Sequence, residues 1–165
     1  MEMKTLLLAV FCLSLALVAG CSSYDKNFAF ASRADVKHLL HEGAYAGRWT
    51  SSKNSAWGGD LRCILTRVND TDLRVSDTDF RADFHATWHG LSSKHSVVLH
   101  TKPAAGKKSG GALVFEGESG LRTIIGAGTY RCEGKLDNET MRACYDATYD
   151  KGTFELRRVS VQPSR

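Results

Sequence analysis

Residues 78–88 read TDFRADFHATW. Apolar and polar side chains alternate without a break: Phe80, Ala82, Phe84, Ala86 and Trp88 on one side, Arg81, Asp83, His85 and Thr87 on the other. A period of two marks a half-buried strand, because successive Cβ atoms of an extended chain point to opposite faces. An aromatic-and-alanine face must be covered, while the polar face meets water. That is the habit of an antiparallel sheet solvated on one side.

The same period continues in both directions. Towards the N-terminus come AYAGRWTSS (44–52) and DLRCILTRV (60–68); towards the C-terminus come KHSVVLHTK (94–102), ALVFEGES (112–119), GAGTYRCEGKL (126–136), ETMRACYDATY (139–149) and GTFELRRVSV (152–161). That makes eight strands, joined by turn-rich links short enough for antiparallel neighbours, and the two prolines fall outside strand interiors. The expected fold is all-β: an eight-stranded antiparallel up-and-down barrel, whose closure removes exposed edges. Two packed sheets are the other arrangement this pattern admits.

Upstream, SRADVKHLLHEG (32–43) carries a helix signal, with Ser32 as N-cap, Gly43 as stop and Val36, Leu39 and Leu40 on one face. This one short N-terminal helix is expected to cover the base of the barrel. Residues 1–20 begin with a charged n-region at Lys4 and continue as an apolar run too short for a membrane span, the pattern of a signal peptide. The run ends LVAGC (17–21), which resembles the lipobox of bacterial lipoproteins. The resemblance implies a lipid (palmitate among its acyl chains) on Cys21 and a cell-envelope location anchored to a membrane. Ser22, rather than Asp, follows the cysteine, which favours the outer membrane. The expected organisation is a signal peptide over 1–20, a tether over 21–31, and a barrel domain with its leading helix over 32–161.

The chain has 165 residues, 42% hydrophobic and 24% charged, the balance of a globular protein. Its net charge of +4 is dispersed without a basic stripe, which argues against nucleic acid as a partner. Lys102, Lys107 and Lys108 sit in a Gly/Ser/Ala-rich stretch that reads as a solvated loop. A monomer is expected. Cys63, Cys132 and Cys144 remain once Cys12 leaves with the signal and Cys21 carries lipid. A three-residue loop at Asp137–Glu139 would set Cys132 and Cys144 opposite each other, in reach of a disulfide in an oxidising compartment. A pairing that uses Cys63 stays open.

Gly47-Arg48-Trp49 on the first strand resembles the Gly-x-Trp of the calycins, the group of lipocalins, fatty-acid-binding proteins and avidins. The whole is similar to small Y-x-G-x-W barrel lipoproteins. In calycins the tryptophan closes one barrel end and a basic residue from the last strand lies across its ring. The resemblance therefore implies that Gly47 allows close approach, that Trp49 plugs the floor, and that Arg157 or Arg158 braces it.

Chemistry is sparsely signalled. His85, His89 and His95 could hold a metal only if they converged, and their polar neighbours make solvated histidines the expectation; no metal site and no cofactor are expected. Glu116 with Glu118, and Asp146 with Asp150, read as solubilising charges. No Gly-x-Ser-x-Gly, Walker loop, Cys-x-x-Cys or His-Glu-x-x-His occurs, so an enzyme is not expected. Trp49, Phe84, Trp88, Phe115 and Tyr130 are the candidate lining of a ligand site, with Ala82, Ala86, Gly128 and Gly134 leaving room beside them. The expected function is binding of a small hydrophobic ligand. The alternative is an envelope protein-interaction module or an inhibitor of a lytic enzyme, working through the loops KPAAGKKSGG and GLSSK.

Overall fold

The computed structural model describes residues 22–33, 41–68, 79–104, 111–123 and 126–160, with the backbone alone for 121–123 and 126. Eight strands follow a short helix: α1 (Ser23–Ala31), β1 (Gly43–Ser51), β2 (Gly58–Arg67), β3 (Phe80–Trp88), β4 (Leu91–Pro103), β5 (Leu113–Thr123), β6 (Gly126–Leu136), β7 (Thr140–Ala147) and β8 (Lys151–Arg158). Each strand pairs antiparallel with the next, and β1 closes on β8 from Tyr45↔Arg158 to Ser51↔Gly152. The result is the closed up-and-down barrel that the alternation implies.

Two tight turns set the registers that matter most. His89 and Gly90 lie at φ 45° and 79°, and Trp88 pairs with Leu91. Positive φ at both central residues gives the two-residue turn whose twist matches a hairpin. The GLSSK stretch, read as a loop, is therefore mostly strand, and His95 pairs with Phe84 on the inner face. In the β6–β7 turn the Asp137 carboxylate accepts from the amides of Glu139 and Thr140 at 2.9 and 2.7 Å, and Leu136 pairs with Met141. The strands leave Asp137–Glu139 between them as expected, but they pair one residue out of the register that a hairpin centred on Asn138 would give. Cys132 then pairs with Tyr145 and Cys144 with Glu133, which puts Cys132 inside and Cys144 outside. The expected Cys132–Cys144 disulfide does not form, since side chains on opposite faces of a sheet cannot be bridged. Cys63, Cys132 and Cys144 are all free thiols.

One end of the barrel, the floor, is packed solid. Tyr45, Leu65, Phe80, Leu99, Leu136, Met141 and Leu156 are all less than 2% exposed. The chain entering β1 seals this end: the Tyr45 hydroxyl donates to the His41 carbonyl at 2.8 Å, and the His41 ring meets Phe80 edge-on. Arg158 lies opposite Tyr45 and donates to the Glu42 carbonyl. Gly47 and Gly134 serve close contact rather than free space. A Cβ at Gly47 would collide with the Glu155 carbonyl, and one at Gly134 with the Arg142 carbonyl and Ala143.

Residues 23–31, expected as part of a tether, instead form α1 against the outer wall. Ser22 caps it by accepting from the Asp25 amide, and Tyr24, Phe28 and Ala31 share the face turned to the barrel at i, i+4, i+7 spacing. The Tyr24 hydroxyl donates to the Asp83 carbonyl at 3.2 Å, and the Arg62 guanidinium lies over the Tyr24 and Phe28 rings while bonding Asp25 at 2.8 Å. Beneath the helix, the outward residues Ala44, Ile64 and His85 are buried. Ser32, read as an N-cap, closes α1 instead, its amide donating to the Phe28 carbonyl. The helix expected over residues 33–41 falls largely outside the described residues. Elsewhere the wall carries ion pairs, Arg48–Asp60, Arg81–Asp83, Arg131–Glu118 and Arg142–Glu155, so it faces water and not acyl chains.

Candidate functional site

Above the floor the interior changes character. Phe84, Tyr130 and Phe154 are buried, with ring centroids 6.4 Å apart for Phe84–Tyr130 and 5.5 Å for Phe84–Phe154. His95 inserts among them, stacked on Phe84 at 5.2 Å and 4.4 Å from the Tyr130 ring. Tyr145 stacks parallel to Tyr130 at 6.2 Å and meets Trp49 edge-on at 6.4 Å. Trp88, two inward positions above Phe84, forms the lip with Trp57 at 5.6 Å. These residues form an aromatic cup in the half of the barrel away from the floor, here called the mouth.

The cup holds polar atoms that the protein leaves unanswered. His95 Nε2, Trp88 Nε1 and Ser119 Oγ are buried and have no hydrogen-bond partner among the described residues. Ser119 stands directly opposite Tyr130 on the paired strand, so it belongs to the same wall of the cup. Each such group costs about 1–3 kcal/mol of desolvation when buried unpaired. Burial also brings the His95 imidazole down to about 4, so it is neutral near pH 7 and presents no charge. By contrast the neighbouring polar groups are satisfied: Ser51 and Tyr145 hydroxyls both donate to Asp150 at 2.6 Å, and Trp49 Nε1 donates to the Thr87 carbonyl at 3.3 Å.

The wall beside this cup is incompletely zipped. The β4–β5 ladder runs from Pro103↔Leu113 to Leu99↔Gly117. Mouthward of that pair, Leu91–Val98 pairs with β3 and Glu118–Thr123 with β6, and the two arms do not pair with each other. His95 and Ser119 flank that seam.

Of the five expected ligand residues, the structure brings Phe84 and Tyr130 together, links Trp49 to them through Tyr145, and sets Trp88 at the lip. Phe115 is buried lower, paired with Thr101 and Gly134 towards the floor. Two surface concavities lie on the outer wall instead of the interior, one lined by His100, Lys102 and Lys135, the other by Arg48, Arg142 and Arg157. His95, expected as a solvated histidine, lies instead in the cup, and Ser119 and Tyr145 join it there without a signal in the sequence. The inward parity of His95, Val97 and Leu99 was the signal for the first.

The closure expected for Trp49 is corrected. Trp49 pairs with Gly59 and Phe154, four strand positions from Arg158, and lies towards the mouth. Arg157 points outward beside Glu155 with its side chain 78% exposed. The floor role belongs to Tyr45, the inward residue at the start of the same strand. The histidines do not converge either: His85 lies under α1, His89 is at the exposed turn, and His95 is inside. Among the described residues no group of three or more metal-ligating side chains assembles.

Fold and site together define a small closed antiparallel barrel, consistent with a calycin-like fold, solid at the floor and lined at the mouth by an aromatic cup. No family model matches the chain, and no curated protein or solved structure matches it.

Proposed function

We propose that this protein is a lipid-anchored, non-enzymatic envelope barrel that binds one small, largely apolar, uncharged molecule in its mouth. The observation that carries this reading is the set of unanswered polar atoms, His95 Nε2, Trp88 Nε1 and Ser119 Oγ, set among aromatic rings. Rings supply apolar and stacking contact, and a ligand hydroxyl, carbonyl or ring nitrogen would answer the buried groups. A neutral imidazole suits an uncharged partner, because no charge in the cup would compensate a buried ion. Anchorage would run through Cys21, which lies outside the described residues.

Gentle extraction from the envelope followed by native mass spectrometry tests the reading. A bound molecule should appear, and it should be weakened or lost in His95→Phe and Ser119→Ala proteins that melt normally. Wild-type protein that carries nothing, and whose melting temperature no small apolar compound raises, would overturn it.

A further inference from the structure

Large apolar side chains exposed among the described residues are Phe30, Trp57, Leu91, Val98 and Tyr149. Three of these, Trp57 at 40%, Leu91 at 54% and Tyr149 at 42% exposure, sit at the tips of the β1–β2, β3–β4 and β7–β8 hairpins, all at the mouth. The tips are tied together: Trp57 packs on Trp88 at 5.6 Å, and Lys53 Nζ donates to the Tyr149 carbonyl at 3.1 Å. The segments SKNSAW and HGLSS carry Lys53 as their one formal charge; at the third tip Asp146 and Lys151 stand opposite each other on paired strands, and the Asp150 carboxylate is held by Ser51 and Tyr145. A low-charge rim of Trp, Tyr and Leu among small polar residues has the composition of a surface that rests at a membrane–water interface.

The helix supplies an independent direction. Its first turn contacts Asp83 and His85, at the middle of β3, whereas its last residue, Ala31, lies by Gly43 at the floor. The helix therefore runs from the middle of the wall down to the floor, with its N-terminal end the nearer to the mouth. The residue before Ser22 is Cys21, so this direction rests on the lipid anchorage proposed above.

We propose that the rim formed by Trp57, Leu91 and Tyr149 docks on the surface of a lipid bilayer, so that the barrel stands mouth-down on the membrane. The charged outer wall keeps the remainder of the molecule in water. This docking is separate from ligand binding: an empty barrel docks in the same way.

Full-length protein mixed with phosphatidylcholine vesicles that carry brominated acyl chains tests it, because bromine quenches tryptophan only at short range. The emission should be quenched, and Trp57→Phe should remove most of the quenching. The double variant Leu91→Ser/Tyr149→Ser should lower it severalfold, while Phe30→Ser/Val98→Ser, which removes exposed apolar groups elsewhere, should leave it unchanged. Equal quenching in the two double variants overturns the proposal. So does a concentration-dependent dimer that only the rim variant abolishes, since a second copy would then be what covers the rim.

Discussion

Acidification should weaken this protein through His95. In the unfolded chain the imidazole takes its proton near 6.5; in the folded barrel burial lowers that to about 4. Between those values the unfolded state binds more protons than the folded one, so stability rises with pH across the window and falls on acidification. A difference of this size is worth about 3 kcal/mol between pH 6.5 and pH 4, a large part of the stability of a small domain. His41 and His85 are also lowered, chiefly by burial, and act in the same direction. Asp25, Asp137 and Glu155 have lowered carboxyls that act at more acidic pH. Comparison with His95→Phe separates these effects, because every other group is present in both proteins. Urea unfolding at intervals from pH 4 to pH 7 should show the wild type losing about 3 kcal/mol more than the variant. At pH 7 the variant should be no less stable, since phenylalanine keeps the ring contacts with Phe84 and Tyr130 and removes an unpaired buried nitrogen. Parallel curves for the two proteins would refute the placement of His95 inside the barrel.

Tyr45→Ala should cost about 3–5 kcal/mol in urea unfolding, as a buried aromatic truncation, and Trp49→Ala should cost less because Trp49 is only half-buried and lies away from the floor. A native-state thiol probe read by peptide mapping should label Cys144 and spare Cys63 and Cys132 until unfolding, for burial shields both and pushes Cys132 up to about 12. Amide hydrogen exchange should find the β4 amides of Leu91–Val98 that point towards β5 exchanging faster than those pointing towards β3, and ligand should slow the fast set.

The strands were legible because their burial is one-sided: a wall with water outside and rings inside prints a period of two on the chain, and all eight emerged near their observed limits. What escaped was register. The His89–Gly90 turn uses a histidine at positive φ, which nothing in its composition announces, and the shift it makes moves His95 from a presumed surface position into the cup. A one-residue offset in the pairing of β6 with β7 likewise separated Cys132 from Cys144. Because the side-chain period is two, an error of one residue exchanges inside for outside. The Gly-x-Trp motif misled for a related reason: its glycine does admit a close neighbour, but the inward residue that meets the floor is Tyr45, four residues before Trp49 on the same face. α1 was hidden by length, since nine residues with Tyr24, Phe28 and Ala31 as their apolar face make a helix only when a wall is there to receive it.

The distribution of cost along the barrel says where function resides. At the floor every large side chain is buried and the chain leading into β1 is tied down by Tyr45 and Arg158, so opening that end would disrupt the whole core. At the mouth the fold tolerates three features that each lower stability: three of the five unpaired buried polar atoms among the described residues (the others are His41 Nδ1 at the floor and His85 Nε2 under α1), a wall seam between β4 and β5, and large apolar side chains left in water at the hairpin tips. A chain under selection for stability alone would be expected to answer His95 and Ser119 and to put serine or lysine at positions 57, 91 and 149. These features of the mouth make sense if partners supply what the protein omits, a largely apolar small molecule with a polar group for the cup and a bilayer against the rim. The two would then work in series, because a mouth held against a membrane takes its apolar ligand from the phase in which that ligand dissolves.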